Sequence, residues 1–310
     1  MVWRHVERIS TVDSLRRIAN TKGVDPENAR TASLRIRQAV ELRRLSTEAS
    51  AVTRPLLFYY SVLNLVRGVM LTYLGDIGGR SHGLKYESGA GLLSCNASMT
   101  RAGTYRRFVE SLGISVAALE GTRFQLADLF ALMPELVNDF SLLQHGSSAV
   151  AMVRVQAIIQ GETHLRFHLQ DVAADDFKAK WATMFPWFAD LCELGSEEFS
   201  LRIKVRPQNE EEIAEFCRKY LIHDLRHRED AIWYDDRADV GTPKLPRLAA
   251  YLAALFILSN VCRYEPELLD SATRDPSDLS YVIDEFLGHA DRFFPQLILE
   301  LLYGHPAFFE

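Results

Sequence analysis

A chain of 310 residues with 48% hydrophobic and 25% charged residues has ordinary globular usage, which argues against long disordered tails and leaves room for a large core. Its formal charge of −6 removes any global electrostatic case for nucleic acid. The four cysteines, Cys95, Cys192, Cys217 and Cys262, share no C-x-x-C spacing, which argues against a cysteine zinc site and reads as free thiols in a reducing compartment.

The first residues, MVWRHVERIS, contain no apolar run before a small-residue cleavage site, so a cytoplasmic location is expected. Charge is unevenly placed: residues 1–54 carry 11 Lys/Arg against 6 Asp/Glu, and residues 264–310 carry 2 against 10. Either the two ends are solvated faces, or they attract each other across the fold, or the basic end meets an anionic partner such as RNA. Thr11 to Thr21 reads as a short helix closed by Gly23, which tolerates a left-handed C′ conformation. Asp25-Pro26-Glu27 then supplies an N-cap, a proline at the first helical position and an acid in the first turn. Ala29, Ala32, Ile36, Ala39 and Val40 recur at helical spacing, flanked by Arg30, Arg35, Arg37 and Arg44. This Arg-rich helix, residues 26–50, is the candidate surface for nucleic acid.

Thr53 and Pro55 open the next helix, LLFYYSVLNLVRGVMLTYL, which ends at Gly75 and is apolar nearly all round. Its uncharged run from Pro55 to Val66 spans 12 residues, short of the roughly 18 a membrane span needs, so it belongs in a core and no membrane is expected. Asn64 and Arg67 interrupt it on one face with Tyr60 and Leu71 and need partners there, since an unpaired buried charge costs several kcal/mol. The following loop, GDIGGRSHGLKYESGAG, holds Arg80, His82 and Lys85 among glycines but matches no phosphate-loop pattern.

From Thr104 to Leu143 helices are expected, broken by Gly113, Gly121 and Pro134. Ala149 to Gln160 and Thr163 to Gln170 read as strands around Gly161, Phe199 to Arg206 alternates cleanly, and Asp175 to Leu191 reads as a helix covering them. Asn209 with Glu212 suggests a capping box for a helix through Tyr220. The last third reads as Arg247 to Cys262, a short piece after Pro266, a helix opened by Asp275-Pro276, and a last one through Pro295 to Tyr303. The expected fold is mainly α: a helical bundle-like domain with a small antiparallel β-sheet insertion. Helical regions at 1–146 and 209–310 would pack together around the insertion at 147–208.

Chemistry is sparsely marked. His223 and His227, if helical, would share a face, and His164 and His168 share a strand face, but neither pair has a third-ligand pattern, so no metal and no cofactor are expected. No G-x-S-x-G elbow is present. Arg218 and His223 have the Arg-x4-His spacing with which helical HEPN ribonucleases place a cation and an acid/base near a phosphate, with Lys219 where those enzymes favour a polar residue. Arg67 and His82 are too far apart in sequence for that motif but could meet if the glycine loop folds back, an arginine for phosphate charge and a histidine for protons. The plainer reading of Arg67 is a tie to a carboxylate, for example Glu265, or to helix C-terminal carbonyls. Arg263 and Glu265 could likewise pair internally.

Several of these segments also resemble a family. TRPLLFYYSVLNLVRGVMLTY followed by HGL, then LFILSNVCRYEPELL and FFPQLILELL, is similar to the YaaC family of bacterial proteins, over about Ala32 to Leu302. Arg67 stands where that family often has a lysine-type cation. The resemblance implies a fold and a compartment and no established activity.

Two functions follow as expectations, and neither decides whether the chain is an enzyme. The first is a protein-interaction or assembly subunit, with a protein partner or a second copy docking on late aromatic residues (Phe293, Phe294, Tyr303, Phe308, Phe309). The second is a HEPN-like ribonuclease or nucleotide/RNA-binding effector, by analogy in bacterial defence or toxin systems. Arg67, His82, Arg218 and His223 would then be catalytic, with Tyr60, Asn64, Arg80, Lys85, Arg263 and Glu265 binding.

Overall fold

The computed structural model describes residues 2–140, 143, 150–158, 162–168, 173–185, 189–204, 211–213, 216, 221–226, 229–233 and 245–304. The chain forms two compact units, Met1–Phe130 with Leu245–Glu310, and Ala131–Lys244.

In the first unit α1 (Val2–Ile9) and α2 (Val12–Thr21) lead to α3 (Ala29–Glu48) and α4 (Arg54–Tyr73). Thr11 caps α2 by accepting from the Ser14 amide, and Asp25 accepts from Glu27 at the turn into α3. Helices α3 and α4 approach closely because α4 carries Gly68. A Cβ there would lie 2.5 Å from Ile36 Cγ1 and 3.1 Å from the Ala32 carbonyl. Ser61 also donates to the Ala39 carbonyl at 2.7 Å. Among the described residues α4 alone is long and apolar enough to cross a membrane, yet every residue from Ser61 to Thr72 is buried within the fold.

The glycine loop leads into strands β1 (Leu84–Glu87) and β2 (Asn96–Met99), joined by β3 (Arg123–Gln125) in an antiparallel sheet of order β1-β2-β3. This sheet is absent from the sequence expectation, since strands of three or four residues are too short for alternation to register. Helix α5 (Thr104–Ser111) lies between β2 and β3, and α6 (Leu126–Ala131) follows them. The stretch expected to be helical from Thr104 is therefore interrupted by a strand.

In the second unit the short α7 (Val137–Phe140) precedes β4 (Val150–Ile158) and β5 (Glu162–His168), and α8 (Ala174–Met184) follows. Strands β6 (Cys192–Leu194), β7 (Ser200–Ile203), β8 (Ile222–Asp224) and β9 (Glu229–Trp233) complete an antiparallel sheet of order β6-β7-β5-β4-β9-β8. Phe177 and Met184 of α8 pack with Val153, Leu165, Phe167, Leu201 and Ile203 of the sheet. Strands β8 and β9 follow the end of the helix expected through Tyr220, so the sheet extends past 208. The capping residue Asn209 and the Gly161 turn lie outside the described residues.

The chain returns to the first unit as α9 (Arg247–Tyr264), α10 (Pro266–Thr273) and α11 (Asp278–Tyr303). The two last helices expected from sequence are one, α11, started by a Ser277/Ser280 capping box and running through Pro295. A helical proline leaves the carbonyl four residues back without its amide donor. Here that carbonyl, Asp291 O, accepts from the Trp3 indole at 2.8 Å, so the loss is made good from α1.

Candidate functional site

Helix α4 brings Tyr60, Asn64 and Arg67 to one face, because they recur at three- and four-residue spacing. Asn64 donates to the Tyr60 carbonyl one turn back at 2.9 Å, and its Oδ1 accepts from Arg35 Nη1 of α3 at 3.0 Å. Arg67 is buried and clamps the glycine loop. Its Nε donates to Thr104 Oγ1 at 3.0 Å, and its Nη2 to the carbonyls of Arg80 at 2.8 Å and Ser81 at 3.2 Å. The clamp is thus made to loop carbonyls, and the expected bridge to Glu265 does not form.

The loop folds back on α5 and carries His82 to α4. Thr104 N donates to the Ser81 carbonyl at 3.1 Å, Tyr105 N to the His82 carbonyl at 2.9 Å, and Thr100 N to the Gly83 carbonyl at 3.0 Å. Two glycines make this approach feasible. Gly83 has φ +85° and Gly103 φ +128°, and a Cβ on Gly103 would lie 2.5 Å from Gly83 Cα.

His82 Nδ1 and the Tyr59 hydroxyl share a 2.6 Å hydrogen bond. The imidazole stacks on Tyr59, meets the edge of Tyr60 and reaches Phe256 of α9, with ring centroids 5.5, 5.9 and 6.0 Å away. Arg263, at the end of α9, closes the group with a 3.4 Å contact from Nη1 to the Tyr60 hydroxyl.

The electrostatics are one-sided. Burial first, then the charges of Arg67 and Arg263, hold the His82 imidazole below the ordinary histidine value, so near neutrality it is uncharged. Burial and then Arg35 pull the Arg67 guanidinium down, offset by Tyr59 and Tyr60, although an arginine stays cationic. Burial pushes the Tyr59 hydroxyl far up. None of Arg35, Arg67 and Arg263 lies within ion-pair distance of a carboxylate among the described residues. Each keeps guanidinium nitrogens without a hydrogen bond there, as does His82 Nε2. For scale, like unit charges about 6 Å apart repel by roughly 3 kcal/mol at an effective dielectric near 20. An oxyanion placed among these groups relieves that repulsion and accepts several charge-assisted hydrogen bonds. A neutral imidazole beside it can take up a proton.

The remaining sequence candidates scatter. Arg80 is exposed and enters the network through its carbonyl alone, and Lys85 pairs with Glu87 on β1 at 3.4 Å. Glu265 accepts from the Tyr86 hydroxyl at 2.6 Å and from Ser88 at 2.5 Å, tying the α9–α10 turn to β1 rather than pairing with Arg263. His223 is on strand β8, opposite Asp230 on β9, rather than on a helix. Arg218 and His227 lie outside the described residues. The cluster in the first unit also includes residues that sequence reasoning did not name as site residues: Arg35, Tyr59, Thr104 and Phe256. Arg35 alone left a signal, as a cation next to the buried stripe of α3.

The profile of the family described as YaaC-like Protein matches residues 8–302. No curated protein and no solved structure matches the chain.

Proposed function

The chain belongs to the YaaC-like family, and on that footing we propose that it binds a phosphate-bearing ligand at the Arg35–Arg67–Arg263–His82 cluster, as a nucleotide- or RNA-binding effector. One observation carries the reading. Three guanidinium groups gather around Tyr60, Asn64 and His82 with no carboxylate partner among the described residues, although α3 pairs Arg43 and Arg44 with Asp291 and Glu7 nearby in sequence. Surplus cations gathered at a cost in repulsion have a use when an anion arrives. The expectation of an assembly subunit has less to stand on. Phe293 and Phe294 are buried, the Tyr303 hydroxyl is hydrogen-bonded to His5 at 2.7 Å, and Phe308 and Phe309 lie outside the described residues.

The test is thermal and chemical denaturation in phosphate against chloride at matched ionic strength. A ligand that binds only the folded state stabilises it by RT ln(1 + [L]/Kd), about 2.7 kcal/mol at a hundred times Kd. Arg263→Ala removes an exposed side chain held by a single 3.4 Å contact to Tyr60 and a ring contact to Tyr264, so the variant folds and loses most of the phosphate response. Equal phosphate stabilisation in wild type and variant would refute the assignment.

A further inference from the structure

We propose that the phosphate belongs to a nucleotide whose base stacks on Tyr264, an inference that rests on the anion-binding reading above. Tyr264 is the last residue of α9 and 62% exposed, more than any other large hydrophobic side chain among the described residues. The Arg263 guanidinium carbon lies 4.9 Å from the Tyr264 ring centroid, and the same guanidinium contacts the Tyr60 hydroxyl. One cation thus spans from the phosphate site to an open aromatic ring. A guanidinium over one face polarises the ring and leaves the other face for a planar partner.

The backbone behind the platform is fixed. Glu265, the next residue, is held through both carboxylate oxygens by Tyr86 and Ser88 of the β1 region. Its amide donates to the Val261 carbonyl, and Pro266 then starts α10. A tyrosine kept open on a rigid turn, directly beside the Arg263 guanidinium, has the two elements that nucleotide recognition combines: charge for the phosphate and a sequence-tolerant stacking face for the base. Inorganic phosphate uses only the first.

Calorimetric titration of the full chain with AMP, inorganic phosphate and adenosine tests this, alone and with Tyr264→Ala and Tyr264→Trp. AMP is expected to bind at least tenfold more tightly than phosphate. Tyr264→Ala abolishes that advantage while leaving phosphate affinity unchanged, and Tyr264→Trp retains it. The proposal is overturned, with the anion site intact, if AMP and phosphate bind equally or if Tyr264→Ala weakens both alike. Absence of binding by both would overturn the underlying reading itself. Circular dichroism of each variant shows whether it is folded, and Tyr264→Trp supplies the intact comparison should the alanine variant fail.

Discussion

In the second unit, the one with the six-stranded sheet, Arg166 lies 3.3 Å from Glu197, Arg202 bonds Glu193, and Arg226 bonds both Asp139 and the Glu135 carbonyl. In the helical unit Arg35, Arg67 and Arg263 converge on Tyr60, Asn64 and His82, where the acceptors are an amide oxygen, hydroxyls and loop carbonyls. The same residue type is neutralised within the fold in one place and left with surplus charge in the other. Shortage of carboxylates does not explain this, because Glu265 is close by in sequence and is engaged by Tyr86 and Ser88. A paired arginine has its partner already, whereas an arginine held by neutral acceptors keeps a field that an incoming anion can use.

The largest expected effect comes from removing Arg67, the one buried arginine among the described residues. Arg67→Leu takes a charged donor away from Thr104 and from the carbonyls of Arg80 and Ser81, bonds of about 1.5–3 kcal/mol each when charged groups are involved. Relief of repulsion with Arg35 and burial of the leucine offset part of this. A net destabilisation of about 2–4 kcal/mol is expected by urea denaturation, with faster amide exchange in the loop. Arg202→Ala, which breaks a partly exposed strand-to-strand pair, should change stability by less than about 1 kcal/mol. Equal losses in the two variants would erase the contrast between the two regions.

The second effect comes from giving the helical unit the carboxylate that the sheet's arginines already have. In Asn64→Asp the oxygen that accepts from Arg35 becomes charged, so that bond strengthens, while the donation to the Tyr60 carbonyl is lost. The two changes oppose each other, and stability without ligand should move by less than about 1 kcal/mol. The phosphate-induced stabilisation, about 2.7 kcal/mol at a hundred times Kd, should largely vanish because the added charge occupies the field. Titrating phosphate into both proteins during thermal melting checks this. A full phosphate response in the variant would show that the field around Asn64 is not what binds the anion.

The sequence made the helical frame and one half of this cluster readable, for reasons that lie in local chemistry. Tyr60, Asn64 and Arg67 stood out because polar residues in an otherwise apolar helix violate its pattern, and His82 because glycines allow its loop to turn back. Arg35 did not stand out, since an arginine beside an apolar stripe reads the same whether it faces water or Asn64. Tyr59 was hidden because an aromatic at a core position is expected there, and its bond to His82 depends on a loop that is 23 residues away in sequence. The β1-β2-β3 sheet was missed because its strands are three or four residues long, and the continuity of α11 because the Trp3 donor that rescues Pro295 comes from the other end of the chain. What escaped was therefore long-range pairing, which no window of sequence contains.

The smallest expected effect is the sharpest report of the uncompensated field, because it reads the charge at His82 directly. Burial, Arg67 and Arg263 lower the His82 pKa in the folded protein from the ordinary 6.5. Between the lowered value and 6.5 the unfolded chain binds more protons than the folded one, so this residue withdraws stability as pH falls below 6.5 and contributes no pH dependence well above it. His82→Gln keeps a hydrogen-bonding partner for the Tyr59 hydroxyl and removes the titration. Plotted from pH 7 to pH 5, the stability of wild type should therefore fall more steeply than that of the variant, by no more than about 1.4 kcal/mol per pH unit, the limit for one proton. His5, which burial and Arg8 also lower, is common to both proteins and cancels in the difference. Saturating phosphate should shrink the difference, because an anion beside the ring favours the imidazolium and offsets the pull of Arg67 and Arg263. If the two curves stay parallel without phosphate, neither burial nor the guanidinium field holds His82 below its ordinary value, and Arg67 and Arg263 are as well compensated as the arginines of the six-stranded sheet.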